Sequence, residues 1–175
     1  MNTVLFAHGK ESGPQGTKIN ALSRVARELG WQPQAPDFRG MLDPQERVAK
    51  LLQIARPLTG PLVLVGSSMG GYVMAEASAH LKPAAMLLLA PAVGIPFYPN
   101  PDPIPHAGIL QAFHGWQDEI IPPRLVIDWC REHRVPLQLV NDRHALQNSL
   151  PLLEEALSRM LSSLDSETAD LTPPE

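Results

Sequence analysis

The sequence predicts an α/β protein: a three-layer α/β/α domain with helices on both faces of a mainly parallel sheet of about six strands. Two observations carry this. Short apolar runs alternate with longer amphipathic ones along the chain. The short runs are continuously apolar rather than alternating, which implies strands buried on both faces. A chain of 175 residues suits one domain with its own core. That domain is expected to span 1–164. The acidic stretch 165–175, which ends Pro173-Pro174-Glu175, is expected to lack structure.

Each element has its own signal. Thr3 to Ala7 is a compact apolar strand closed by His8-Gly9. Thr17 to Leu29 carries Ile19, Leu22, Val25, Ala26 and Leu29 at helical spacing, with Gly30 as a cap. Trp31 to Pro36 is a weaker strand because two prolines interrupt it. Asp43-Pro44 is an N-cap with a first-turn proline, opening a helix that carries Val48, Leu51, Leu52 and Ala55. Pro61 to Val65 is a strand, Ser68 to Leu81 a helix, and Ala84 to Leu89 a strand. Gly108 to Phe113 is a strand ending at His114-Gly115, and Pro122 to His133 a helix. Pro136 to Val140 is the last strand, and Leu150 to Leu164 the last helix.

Composition excludes several classes. The net charge is −4, with Lys and Arg scattered, so the basic footprint of a nucleic-acid binder is missing. No apolar run reaches membrane-span length. The N-terminus has neither the charged region nor the cleavage site of a signal peptide, so a cytoplasmic protein is expected. The single cysteine, Cys130, rules out an internal disulfide and falls in a helical pattern as a packing residue. Gly9, Gly13 and Gly16 after the first strand do not spell a dinucleotide-binding loop.

In parallel sheets ligands sit beyond the carboxyl ends of the strands, and there the chain holds its reactive residues. After the third strand comes Gly66-Ser67-Ser68-Met69-Gly70-Gly71. Ser68 stands at the centre of G-x-S-x-G, between an apolar strand and a helix, the setting that a nucleophile elbow requires. A serine hydroxyl needs a base. Of the six histidines, only His144 lies in the loop between the final strand and the final helix. Asp118, in the loop after the preceding strand, is the candidate acid that orients it. Glu119 is an adjacent alternative, whereas Asp142 is too near His144 in sequence to grip its ring. Backbone N–H groups of Met69 and of the loop at His8-Gly9-Lys10 are the candidate oxyanion donors, with Lys10 favoured and Gly9 allowing the inward turn.

Together these segments, with Asp37-Phe38-Arg39-Gly40, resemble the α/β-hydrolase superfamily from about Thr3 to Leu164. The order Ser68, Asp118, His144 is that superfamily's order. Within it, the chain resembles compact bacterial serine esterases that have a G-S-S-x-G-G elbow and no large cap domain. The resemblance implies a minimal α/β-hydrolase fold lacking the two leading antiparallel strands of larger members. It also implies hydrolysis of small or short-chain esters or thioesters through an acyl-enzyme, with no metal or organic cofactor. The partner is then a small-molecule ester rather than nucleic acid or membrane; a homo-oligomer is compatible with the sequence. Two residues depart from the pattern or raise a question of role. Lys10 stands where relatives often have an apolar residue, and Arg39 is expected to brace its loop. The long proline-rich loop 91–107 can cover the site, which makes Phe97, Tyr98 and Trp116 candidate pocket residues. Amide hydrolysis with the same triad, or a silent scaffold that only binds, are the competing readings.

Overall fold

The computed structural model describes residues 1–170. In chain order the elements are β1 (Thr3–Ala7), α1 (Thr17–Glu28), β2 (Gln32–Gln34), α2 (Pro44–Ala55), β3 (Leu62–Ser67), α3 (Met69–Leu81), β4 (Ala85–Leu89), β5 (Ile109–Gly115), α4 (Pro123–Glu132), β6 (Leu137–Val140) and α5 (Leu150–Asp170). The six strands form one sheet in the order β2-β1-β3-β4-β5-β6. Every pairing is parallel, with Thr3 opposite Leu62 and Val63 opposite Ala85. All the carboxyl ends therefore share one edge. The order reverses between β1 and β3, the switch point beside which open parallel sheets leave a crevice.

Side chains alternate across the sheet, and the two cores follow that alternation. Leu5, Ala7, Leu64, Met86, Leu88 and Ala112 face α2, α3 and α4. Val4, Phe6, Val63, Val65, Leu87 and Leu89 face α1 and α5. Cys130 is buried on α4, and burial pushes its thiol up to about 12, which fits a packing residue. No helix among the described residues is long and apolar enough to cross a membrane.

The boundaries differ from expectation in physically informative ways. β3 runs on to Ser67 and β5 to Gly115, because Gly66, Ser67, His114 and Gly115 still pair with neighbours although they end the apolar runs. β2 shrinks to three residues around Pro33. It pairs only with β1, and an edge strand tolerates a residue without an N–H. The expected boundary at Leu164 falls within α5. α5 continues to Asp170, and Asp165 accepts hydrogen bonds from Asn2 Nδ2 and Trp31 Nε1. The rest of the expected tail lies outside the described residues.

Leu87 is fully buried in the central strand β4. Leu87→Ala is expected to cost about 2–5 kcal/mol, read as a lower urea midpoint at unchanged slope; a loss below about 1 kcal/mol would show that this core can collapse around the gap.

Candidate active site

β3 passes to α3 through Ser68, whose backbone is forced to φ 55° and ψ −120°. For a residue with a Cβ this is strained by about 1–3 kcal/mol, so the surroundings must hold it. The Ser68 N–H donates to Leu89 O (3.0 Å), while its carbonyl accepts from Gly71 N (2.9 Å) and Ala92 N (3.0 Å). The flanking glycines are demanded by crowding. A Cβ on Gly66 would sit 2.4 Å from Gly70 O, and one on Gly70 only 2.0 Å from Ala7 O. The Ser68 side chain is thereby set on the positive end of α3, directly above the sheet. Met69 opens that helix, so its N–H has no acceptor within the helix.

The candidate acid and base come from the ends of β5 and β6. A Cβ on Gly115 would meet Asp142 O at 2.3 Å, so the loops after β5 and β6 run in contact there. Trp116 N donates to Val140 O (2.8 Å) and Gln117 N to Asp142 O (3.0 Å). Across this seam, His144 Nδ1 lies 2.7 Å from Asp118 Oδ2. Asp118 Oδ1 accepts from Ile120 N (2.9 Å) and Ile121 N (2.8 Å). The Asp118 side chain is 0% exposed. Burial opposes its ionisation, but the bonds from His144, Ile121 and Ile120 outweigh that and hold its pKa below the usual carboxylate value. A carboxylate only accepts, so the His144 proton sits on Nδ1 and Nε2 is left as the base. Glu119 reaches only the His144 backbone N–H, at 3.5 Å. Asp142 instead caps its own loop, accepting from Arg143 N (2.8 Å) and from Ser149 N and Oγ (2.9 Å each). No hydrogen bond joins Ser68 to His144 in this structure. The loop that carries His144 is tied to α1 by Lys18, whose Nζ donates to Ala145 O at 2.7 Å.

Three supporting residues were not legible as site residues. Lys18 is one. His114 is another: its Nε2 lies 2.9 Å from Ile121 O and 3.2 Å from Asp118 Oδ2. Both neighbours only accept, so Nε2 carries the proton. Nδ1 is left buried with no partner, and burial lowers the pKa of the ring. Arg47 of α2 is the third. It is 0% exposed and donates to the His8 and Gly9 carbonyls behind the β1 loop, at 2.9 and 3.3 Å. Its signal was present in the sequence as a charged residue four before Leu51 and eight before Ala55, on the apolar stripe of a helix.

In the β1 loop, Gly9 packs on the elbow: a Cβ there would touch Ser68 Cβ at 3.4 Å. His8 is buried. It accepts from Phe38 N through Nε2 (2.9 Å) and donates from Nδ1 to Gly9 O (2.8 Å). The Lys10 side chain is exposed. Arg39 pairs with Asp37 at 2.6 Å on the surface, bracing its own turn.

None of the candidate pocket residues lines the cavity beside the β1 loop. The loop 91–107 is strapped down the flank of the sheet. Asn100 Nδ2 donates to Glu76 (2.6 Å), His106 N to Ser78 Oγ (2.9 Å) and Trp129 Nε1 to Pro103 O (3.0 Å). Tyr98 packs edge-on against Tyr72, while Phe97 is 85% and Trp116 58% exposed. A cavity of about 230 Å³ lies instead between the β1 loop, α1 and the base loop. Its lining includes Phe6, His8, Ser12, Lys18, Ser67 and Ala145, and none of the three aromatics.

Residues 4–171 match the alpha/beta hydrolase family. The fold superposes on the crystal structure of a protein of the alpha/beta hydrolase superfamily from Xanthomonas campestris pv. campestris. That comparison has a TM-score of 0.83 and 34% identity, over 93% of this chain and 99% of that one. Est1E from Butyrivibrio proteoclasticus, also solved with ferulic acid, gives 0.77 at 19% identity over 94% and 88%. A serine hydrolase without lid from Xanthomonas campestris gives 0.66 at 24% identity over 92% and 82%. No protein with a curated description matches the sequence.

His8 and His114 are both held neutral by burial, their pKa values lowered; at His8 the Arg47 charge adds to this, against opposing contributions from Gly9 O and Asp37. Exposed histidine titrates near about 6.5, so below that pH the unfolded chain binds more protons than the folded one, and stability falls with pH. The contribution is whole above about 6.5 and is lost as pH drops toward the folded-state values. The urea midpoint is expected to be lower at pH 5.5 than at pH 7.5; equal midpoints would mean that these rings are not buried neutral.

Proposed function

Since the chain belongs to the alpha/beta hydrolase family, we propose that it is a serine hydrolase acting on small or short-chain carboxylic esters or thioesters through an acyl-enzyme. The observation that supports this reading is the Asp118–His144 bond of 2.7 Å, which leaves the other imidazole nitrogen free to act as a base, together with the strained turn that holds Ser68 at the end of β3. In the proposed cycle His144 Nε2 takes the Ser68 proton as Oγ attacks the acyl carbonyl. The developing oxyanion lies against the N–H groups of Met69 and Lys10. His144 then protonates the leaving group, and water activated by the same ring releases the acid. Asp118 stays ionised and stabilises the imidazolium. The two side chains are not hydrogen-bonded at rest, and such contacts commonly tighten only with substrate present. The short-chain part of this reading rests on the resemblance to compact esterases without a large cap, since the cavity beside the β1 loop is lined by neither Ser68 nor His144.

A fluorophosphonate probe is expected to label the protein stoichiometrically at Ser68, with no labelling of Ser68→Ala. A folded wild type that does not label would favour a silent binding scaffold. On p-nitrophenyl esters of increasing chain length, kcat/KM is expected to be greatest for the shortest acyl groups. Asp118→Asn should lower kcat by about 10⁴ through the wrong histidine tautomer. Faster turnover of aminoacyl amides than of any ester would replace the esterase reading with an amidase.

A further inference from the structure

Arg47 is a fully buried cation without a carboxylate partner. Its Nε donates to Met41 O at 2.7 Å, and Nη1 donates to His8 O at 2.9 Å and Gly9 O at 3.3 Å. Nη2 is buried and unpartnered. No acidic side chain among the described residues lies within ion-pair distance of it. The Phe38 ring lies 5.6 Å from the guanidinium carbon, and the Tyr98 phenol is near enough to interact with the charge. Burying a charge in this way is costly, and an apolar residue at the same face of α2 would fill the space without that cost. What the charge does touch is the loop that carries the candidate oxyanion donor.

The geometry of one peptide plane gives this contact a consequence. In a trans peptide the carbonyl and the following N–H point in opposite directions. Gly9 O is drawn inward by two donors, His8 Nδ1 at 2.8 Å and Arg47 Nη1 at 3.3 Å. The N–H at the other end of that plane belongs to Lys10, and it must point away from Arg47. Gly9 itself packs against Ser68. His8 is in turn held by Phe38 N, so the inward pull comes from a braced ring and a braced cation. We propose that Arg47 is a positioning residue for the oxyanion hole, fixing the Gly9–Lys10 peptide so that the Lys10 N–H faces the reacting carbonyl and is polarised by the positive charge behind it. This rests on the reading of Ser68 as nucleophile and adds to it the group that sets the second oxyanion donor.

The role predicts a loss confined to the transition state. Removal of an oxyanion donor typically costs about 10²–10³ in kcat. Misaiming that donor should cost less. Arg47→Met is expected to lower kcat about 10–100-fold with KM within about twofold. The affinity of a boronic acid or trifluoromethyl ketone inhibitor, each giving a tetrahedral adduct at the serine, should weaken by a matching factor. Arg47→Lys keeps the charge but cannot span Met41, His8 and Gly9, so it should fall between Arg47→Met and wild type. Should Arg47→Met not fold, the lysine variant alone decides. Unchanged kcat and inhibitor affinity in a folded variant, even one with a lower melting temperature, would make Arg47 a structural brace and overturn the inference. A wild type that fails to label with fluorophosphonate removes the serine-hydrolase reading and this one with it. A labelled wild type with unaffected Arg47 variants removes only this one.

Discussion

The contact on which the site depends is between two backbones. Gly70, in the first turn of α3, lies so close to the Ala7 carbonyl that a Cβ would stand 2.0 Å from the oxygen. That approach clamps the start of α3 to the end of β1. It leaves the chain leaving β3 no room for a relaxed turn, so Ser68 takes a positive φ. The same approach brings the loop after β1 against the elbow, with Gly9 touching Ser68. The positions of the candidate nucleophile and of the candidate oxyanion loop are thus consequences of one glycine-only contact at the switch point of the sheet. Any side chain at residue 70 would push β1 and α3 apart and separate them.

A second seam, at the ends of β5 and β6, follows the same logic. Gly115 admits the Asp142 carbonyl, and that registers the acid's loop against the base's loop. Once they are side by side, the Asp118 carboxylate has donors on both oxygens: two backbone N–H groups on Oδ1, and His144 with His114 nearby on Oδ2. The carboxylate therefore remains ionised although its side chain is buried, and the orientation of His144 is set by an anchor that cannot rotate. Asp142 and Lys18 finish the job from the other side, the first closing the loop on itself and the second tying it to α1.

Sequence patterning reached the layers and the strand count, and it singled out the candidate site residues, because each depends on short-range chemistry. Apolar runs mark strands buried on both faces, glycines at fixed spacing mark an elbow, and a carboxylate and a histidine after successive strands mark an acid–base pair. It did not reach His114, Lys18 or Arg47. Lys18 and Arg47 act through contacts across 127 and 39 positions, while His114, only four positions from Asp118, reaches it because the turn after β5 folds back on the strand end. Only Arg47 leaves a local trace, as a charge on an apolar stripe. The aromatics of the 91–107 loop, Phe97 and Tyr98, belong to a segment whose course was also not local. Composition and loop length suggested a cover, but Asn100, Pro103 and His106 find partners on α3 and α4, and those bonds hold the loop along the flank. The extension of α5 past Leu164 was hidden because Asp165 is tied to Asn2 and Trp31 at the far end of the chain, which no local acidity could reveal.

The unsatisfied groups of the fold are not spread evenly. Among the described residues, the buried side-chain polar atoms lacking a hydrogen bond are Arg47 Nη2 and His114 Nδ1. One side chain stands directly behind Gly9, the other directly beside Asp118. An unmet buried polar atom costs about 1–3 kcal/mol, and the Ser68 backbone adds strain of similar size. Against the roughly 5–15 kcal/mol by which domains are usually stable, three such costs at one sheet edge are substantial. The two apolar layers that sandwich the sheet elsewhere supply what offsets them. A sequence chosen for stability alone would place apolar residues at 47 and 114 and a relaxed turn at 68. That it does not, at three positions that touch the carboxyl ends of β1, β3 and β5, fits a sheet edge shaped for chemistry.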